Sequence, residues 1–68
     1  METLKLKISL RAARINANLT LIEAAKKLGV NKSTLIKWEK HSGQVTANNQ
    51  LRLSSLYKIP VDNIFFGF

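Results

Sequence analysis

The stretch TLIEAAKKLGVNKSTLIKWEK, residues 20–40, restricts the fold more than any other part of the chain. Glu23 follows Thr20 by three positions, which is the spacing of a capping box. In that motif the threonine oxygen accepts a hydrogen bond from the Glu23 amide, and the glutamate accepts one from the Thr20 amide. Apolar residues then recur at i, i+3, i+4 and i+7, one face of a helix: Leu21, Ala24, Ala25 and Leu28.

A tight turn follows this helix and leads into a second one. Gly29 tolerates the positive φ that such a turn needs, and Ala25 is small enough to let two steeply crossing helices approach. Asn31 stands as the N-cap of the second helix. The remaining apolar positions pack that helix against the first and against the rest of the domain: Val30, Leu35 and Trp38. The unit as a whole, residues 21–40, therefore presents one helix, starting near Lys32, at the surface.

Breaks in the pattern divide the whole chain into five short segments. They fall at Asn18, Gly29–Asn31, Ser42–Asn49 and Lys58–Pro60. This spacing predicts an all-α fold of five short helices in a single domain, residues 1–68.

The outer helices are placed by their ends. The first lies in SLRAARINAN, with Ser9 as its N-cap and Asn18 as the left-handed residue that ends it. The fourth is expected at about residues 48–57, and its core positions are Leu53, Leu56 and Tyr57. Pro60 forbids continuation, so a short fifth helix follows it and turns inward Val61, Ile64 and Phe65.

The N-terminal stretch TLKLKISL alternates apolar and polar residues, which is the period of a strand. Residues 1–8 are therefore either a short extended arm or an early turn of the first helix that uses Leu6 and Leu10. The pattern leaves both alternatives open.

Charge is the strongest signal in the composition. Eleven Lys and Arg residues against four Asp and Glu give a net charge of +7, and a small domain this basic usually meets a polyanion. An anionic membrane surface would require a broad apolar face opposite a lysine-rich one. The apolar positions of the lysine-bearing segments are instead committed to a core, so nucleic acid is the favoured partner.

The composition also predicts the compartment and argues against a metal site. No apolar run approaches the roughly 20 residues that span a bilayer, and the charged N-terminus leaves no room for a signal peptide. The chain has no cysteine and one histidine, His41, so neither disulfides nor a metal cluster are expected. We expect a soluble cytoplasmic protein that uses no metal and no cofactor and does not bind membranes.

Two segments resemble the phage repressor and Cro-like helix-turn-helix family. RINANLTLIEAAKKLGVNKSTLIKWEK is similar to helices one to three of that family without a gap, and LSSLYKIPVDNIFFG is similar to its closing two-helix segment. The resemblance implies a lambda-repressor-like domain and a transcriptional regulator of phage or prophage type. It further implies that the helix starting near Lys32 enters the major groove of double-stranded DNA.

Four residues share the outer face of that helix by helical geometry: Lys32, Ser33, Ile36 and Lys37. The resemblance assigns the two lysines and Ser33 to base edges, where lysine can donate to guanine, and Ile36 could touch a thymine methyl group. The alternative is that the lysines are only solvated or hold phosphates.

The family binds DNA phosphates at both ends of the helix-turn-helix unit. Amides at the start of the second helix can bind a phosphate, and polar residues flank and follow the recognition helix. The residues so assigned are Thr20, Leu21, Asn31, Thr34, Lys40, His41, Ser42 and Gln44. Arg14 and Glu39 stand where the family often has a partly buried ion pair; the alternative is two unrelated surface charges.

The sequence departs from the family pattern at three places. Leu21 and Ile22 replace residues that are usually polar at the start of the second helix. Lys40 and His41 occupy positions that are usually asparagine and glycine, and Lys58 stands where glycine often ends the fourth helix. Leu21 and Ile22 remove a side-chain phosphate contact, and Lys40 and His41 leave the path of the loop after the third helix open.

One recognition helix reads only a few base pairs, so the family binds near-palindromic operators as two-fold dimers. If Ile64 and Phe65 face the core, the remaining apolar side chains near the C-terminus form a weak homodimer interface: Ile59, Pro60, Phe66 and Phe68. The alternative is that Phe66 and Phe68 fold back onto the fourth helix of their own chain.

Other classes of function have less support. Catalysis would have to rest on one histidine and four carboxylates, with no glycine-rich phosphate loop. RNA binding would need exposed aromatic residues for base stacking. A protein-interaction module such as a small antitoxin would use the same fold, so it remains the alternative to a DNA-binding regulator.

Overall fold

A computed structural model describes residues 6–67, which form four α-helices joined by short connections. The helices are α1 (Leu10–Asn16), α2 (Leu21–Leu28), α3 (Lys32–Lys40) and α4 (Ala47–Tyr57). Two 3₁₀ turns follow α3 and α4, at Ser42–Gln44 and Val61–Asn63. The all-α class is confirmed, and no helix among the described residues is long and apolar enough to cross a membrane.

Local capping places three of the four helix starts. The Ser9 side chain accepts a hydrogen bond from the Ala12 amide at 3.0 Å, and the Thr20 capping box is complete. Thr46 caps α4 by accepting from the Asn49 amide at 3.4 Å, so α4 begins one residue earlier than expected. These bonds satisfy amides that have no partner inside the helix.

The predicted fifth helix is wrong. Only a single 3₁₀ turn, Val61–Asn63, follows Pro60, and the backbone beyond it is extended. The Ile8 amide donates to Asn63 O at 2.9 Å and the Phe65 amide donates to Ile8 O at 2.8 Å, which makes a parallel bridge between Ile8 and Ile64. Because this pairing takes the Phe65 amide and the Asn63 carbonyl, which a helix would use, the segment remains extended.

The same bridge decides between an extended arm and an early helical turn for the N-terminal residues that are described. Residues 6–8 are not helical, and Ser9 is the cap from which α1 begins. Residues 1–5 of the predicted arm lie outside the described residues.

The core lies where α1, α2, α3 and α4 meet. Its fully buried apolar members include one leucine each from α1, α3 and α4, namely Leu10, Leu35 and Leu53. Trp38 is half-buried and packs against this cluster, in keeping with its expected place in the core. Ala24 and Ala25 are buried where α2 meets its neighbours. Because an alanine side chain is small, the neighbouring helices can approach α2 closely there.

Three of the described residues adopt the left-handed conformation, and each ends or follows a helix. Gly29 has φ +72° at the end of α2, and Asn18 has φ +59° after α1, both as predicted. Lys58, with φ +58°, ends α4 in the place of the usual glycine. This backbone conformation is sterically unfavourable for lysine but not for glycine.

Candidate nucleic-acid interface

The turn between α2 and α3 sets how α3 is presented. The Val30 amide donates to Ala25 O at 3.0 Å, which closes the end of α2 around Gly29. Buried Leu28 and half-buried Val30 lie on either side of the glycine. The chain can therefore reverse direction within three residues, and α3 packs across α2 while keeping one face outward.

The outer face of α3 carries the residues predicted to meet bases. Lys32, Ser33 and Lys37 are exposed, and Ile36 is half-buried beside them. The inner face is held by Leu35, which is fully buried, and by Trp38. The structure thus brings the four residues together on one accessible surface, with two ammonium groups and one hydroxyl as hydrogen-bond donors.

Arg14 of α1 and Glu39 of α3 form an ion pair beneath this surface. Arg14 Nε donates to Glu39 Oε2 at 2.7 Å, and Arg14 Nη2 donates to Glu39 Oε1 at 3.4 Å. Each side chain is only 9 % exposed. Arg14 Nη1 also donates to Leu19 O at 2.9 Å, so one guanidinium ties α1, the α1–α2 connection and the last turn of α3 together.

The pairing also removes a charge that would oppose nucleic acid. A carboxylate near the end of a polyanion-facing helix repels phosphate, and Arg14 neutralises Glu39 at close range. The exposed charges of α3 are then all positive: Lys32, Lys37 and Lys40.

The start of α2 is occupied by its own capping box. The Thr20 amide donates to Glu23 Oε1 at 2.9 Å, and Thr20 Oγ1 accepts from the Glu23 amide at 3.1 Å. The bond from the Thr20 amide is the largest cause that lowers the pKa of the Glu23 carboxyl. A phosphate at this helix start must therefore compete with Glu23 for the Thr20 amide.

The predicted phosphate-binding residues around α3 are mostly accessible. Asn31, Lys40, His41 and Gln44 are exposed, while Thr34 and Leu21 are half-buried. Asn31 occupies the N-cap position of α3, but its side chain makes no capping hydrogen bond. The side-chain amide of Asn31 therefore takes no part in capping α3.

Ser42 does not fit the phosphate role predicted for it. Its side chain is fully buried, and Ser42 Oγ donates to Phe65 O at 3.2 Å. A hydroxyl with no accessible surface cannot reach a phosphate. Ser42 instead connects the turn after α3 to the extended C-terminal segment, 23 residues further along the chain.

The C-terminal aromatic residues are placed differently from the prediction. Phe65 was expected in the core but is 39 % exposed, whereas Phe66 is half-buried and packs against the core. The physical reason is the extended backbone at the Ile8–Ile64 bridge, since successive side chains of extended chain point to opposite sides. Ile64 is buried, Phe65 points outward and Phe66 turns inward; Phe68 lies outside the described residues.

Of the other two residues predicted at the dimer interface, one is exposed and one packs against the core. Pro60 is exposed, while Ile59 is half-buried and packs against the core. Apolar surface is therefore present near the C-terminus, but Phe65 supplies more of it than Phe66.

One contact near the turn between α2 and α3 has no local signal in the sequence. Arg52 of α4 donates through Nη2 to the carbonyl of Leu28, the last residue of α2. The two residues are 24 positions apart, and arginine on an exposed helix face ordinarily indicates only solubility. Covariation between such positions in relatives is the kind of signal that would reveal it.

The described residues contain no group of three or more His, Cys, Asp or Glu side chains that could hold a metal ion. In a comparison with known protein families, the helix-turn-helix family model matches residues 10–64, which include the four helices described above. Comparisons with curated proteins and with solved structures give no significant match.

Proposed function

Because the chain belongs to the Cro/C1-type helix-turn-helix family of DNA-binding transcription regulators, we propose that it reads a specific double-stranded operator with α3. The observation that carries this proposal is the outer face of α3, where Lys32, Ser33 and Lys37 are exposed beside half-buried Ile36. A helix held in this way by a tight turn fits the major groove of B-DNA, whose width of about 12 Å admits one helix.

We assign direct base contacts to the outer face of α3. Lys32 and Lys37 donate to guanine O6 and N7, Ser33 pairs with either type of base, and Ile36 contacts a thymine methyl group. Lys32 and Ser33 lie in the first turn, which in this class of motif contacts base edges most closely.

Phosphate contacts come from the ends of the helix-turn-helix unit. Lys40, His41 and Gln44 form an exposed polar segment at and after the end of α3. We propose that they hold the backbone on one side of the groove, and that Asn31 and Thr34 hold it at the start of α3. At the start of α2, the amide of Leu21 is better suited than that of Thr20, because Glu23 already accepts from the latter.

Two copies act together on the operator in this proposal. One α3 reads only a few base pairs, and two-fold dimers place two such helices in successive major grooves, about 34 Å apart. The apolar surface near the C-terminus supports a weak homodimer: Ile59, Pro60, Phe65 and Phe66. Lys7 and Asp62 line the same shallow hollow as Phe65, so charged side chains lie beside this apolar surface.

A regulator of this design acts by occupying DNA. We propose that it is a repressor of the phage or prophage type, which blocks transcription when α3 of each copy is seated in its half-site. The proposal is supported by the family and by the basic outer face of α3 rather than by any ligand pocket.

Selection of bound sites from a random duplex pool tests the proposal. We expect a near-palindromic consensus of two half-sites whose centres are about one helical turn apart. Repeating the selection with Lys32→Ala should relax the preference at one position in each half-site and leave the rest of the consensus unchanged. A pool with no consensus would contradict base reading by α3, and a consensus that is unaffected by Lys32→Ala would contradict the base contact assigned to Lys32.

A further inference from the structure

The last carbonyl of α2 is bound by a residue from α4. Within α2, the amides of Gly29 and Val30 donate to carbonyls one turn earlier, those of Ala25 and Lys26. These bonds leave the carbonyl of Leu28 without a partner in its own helix, as is general for the last turn of a helix. Arg52 Nη2 donates to that carbonyl.

The guanidinium of Arg52 is oriented by its own helix. Arg52 Nη1 donates to Asn49 Oδ1 at 3.1 Å, one turn earlier in α4. Because the guanidinium group is planar and rigid, fixing one of its nitrogens directs the other. Its positive charge also meets the negative end of the α2 dipole.

α2 is one of the two helices on which both α3 and α4 pack, the other being α1. α3 packs mainly on α2, on α1 and on the 3₁₀ turn that follows it, whereas α4 packs on α1, α2 and the second 3₁₀ turn. Leu28 is the residue directly before Gly29, and α3 begins only three residues after that glycine. A hydrogen bond at the Leu28 carbonyl therefore holds the point from which the turn departs.

We infer that Arg52 is a positioning residue for DNA recognition, which sets the direction of α3 by holding the end of α2 against α4. The inference rests on the proposed function, since it requires that α3 reads bases. It adds a residue that touches neither the outer face of α3 nor the phosphate-binding segments. A small rotation of α3 displaces Lys32 and Lys37 from base edges far more than from phosphates, because base hydrogen bonds are directional and charge attraction is not.

Lys27 offers a matched control. Lys27 and Arg52 line the same shallow groove between α2 and α4, together with Leu51 and Leu56 and without any residue of α3. Both are exposed cations, but only Arg52 is bound to the Leu28 carbonyl. Lys27→Met therefore removes the same charge from the same groove and leaves that contact in place.

The experiment compares wild type, Arg52→Met, Arg52→Lys and Lys27→Met. For each, the dissociation constant is measured on the selected operator and on a random duplex, over a range of salt concentrations. The temperature is one at which circular dichroism shows all four to be folded. We expect Arg52→Met to lower the ratio of specific to random binding by roughly 2- to 30-fold, the range for residues that act through others.

The remaining readouts separate positioning from other roles. The salt slope, which is the dependence of the logarithm of the binding constant on the logarithm of the salt concentration, should be the same for Arg52→Met as for wild type. Lys27→Met should keep the wild-type ratio of specific to random binding. Arg52→Lys should recover part of that ratio, because lysine can still donate to the Leu28 carbonyl. If Arg52→Met weakened both duplexes equally and lowered the salt slope by about one, Arg52 would be a phosphate contact and the inference would be overturned. A lowered melting temperature with an unchanged ratio would also overturn it, in favour of a purely structural role.

The two proposals fail in distinguishable ways. If wild type itself bound operator and random duplex equally, the proposed function would fail and this inference with it. If wild type discriminated and Arg52→Met discriminated equally well, only the inference about Arg52 would fail.

Discussion

Arg14 Nε lies 2.7 Å from Glu39 Oε2, and this contact joins α1 to the last turn of α3. Both side chains are almost wholly buried, so each charge depends on the other for its stability. The pair also gives α3 a second support besides the α2–α3 turn, at the end remote from Gly29.

Removing one side of this pair should destabilise the domain strongly. We expect Glu39→Gln and Arg14→Met each to lower the free energy of unfolding by about 3 kcal/mol, because each leaves a buried charge without its partner. In a domain of this size each kcal/mol shifts the melting temperature by about 4–8 °C, so thermal unfolding measures the effect easily. Asp62→Asn, at an exposed carboxylate, is the control; melting temperatures unchanged in both pair variants would refute the pairing.

Lysines of α3 should differ in what they contribute to binding. Lys32→Ala and Lys37→Ala should each lose roughly 1–3 kcal/mol on the selected operator and much less on random duplex. Lys40→Ala should weaken both duplexes alike and lower the salt slope by about one, as expected for a phosphate contact. Binding titrations at several salt concentrations measure both quantities, and identical behaviour of the three variants would argue against the proposed division of roles.

Substitutions at the two left-handed helix ends should change the stability of the domain in opposite directions: Gly29→Ala should lower it, and Lys58→Gly should raise it. Gly29→Ala should cost about 1 kcal/mol, although a Cβ there would meet no atom within 4 Å, because the cost lies in the backbone conformation alone. Lys58→Gly should raise the free energy of unfolding by about 0.5 kcal/mol or more, since glycine adopts this φ without strain but gains entropy when unfolded. Chemical denaturation of both variants checks the signs.

Tyr57 should make the domain sensitive to alkaline pH. Burial, followed by the charge of Glu39, raises the pKa of Tyr57 to about 12 in the folded state, against about 10 when unfolded. Folding therefore favours the neutral phenol; this stabilisation is complete below pH 10 and is lost as the pH rises towards 12, by on the order of 2 kcal/mol. Tyr57 is the only tyrosine, so the ultraviolet absorbance of tyrosinate follows its ionisation directly.

The Tyr57→Phe variant is the control for that titration. It should lose less stability than wild type between pH 10 and 12. Near neutral pH it should be as stable as wild type or more so by up to about 1 kcal/mol, because the buried Tyr57 hydroxyl has no hydrogen-bond partner among the described residues. A clear loss of stability at neutral pH would show that the hydroxyl is satisfied after all.

The proposed dimer surface should depend more on Phe65 than on Phe66. Phe65→Ser should reduce the preference for a full operator over a half-site and lower the melting temperature less than a core substitution does, because its ring is 39 % exposed in the single chain. The double variant Phe66→Ser, Phe68→Ser should instead lower stability, since Phe66 packs on the core. Leu51→Ser, at a leucine that is 62 % exposed on α4, is the control, and sedimentation reports the association directly.

Unchanged cooperative binding in Phe65→Ser would place the dimer contact elsewhere. Residues 6–8, which precede α1, are the next candidate, because Leu6 is 76 % exposed.

The features that were predictable from the sequence depend on residues close together in the chain. The Thr20–Glu23 capping box, the Ser9 cap and the turn at Gly29 each involve positions within four or five residues of one another. At that range, helix geometry leaves few arrangements, so residue type and spacing are enough to choose between them. The exposed face of α3 follows from the same periodicity once Leu35 and Trp38 are taken as its inner side.

Contacts between distant segments decided the rest. Ser42 is polar and was expected at the surface, but it is buried because the chain returns to it at Phe65. The C-terminal segment remains extended because Ile8 pairs with Ile64, and that pairing reverses which phenylalanine faces the core. Likewise Arg52 meets the Leu28 carbonyl only after α4 has packed on α2. Such pairings are chosen by the packing of the whole domain and leave no periodic signal in the residues that make them.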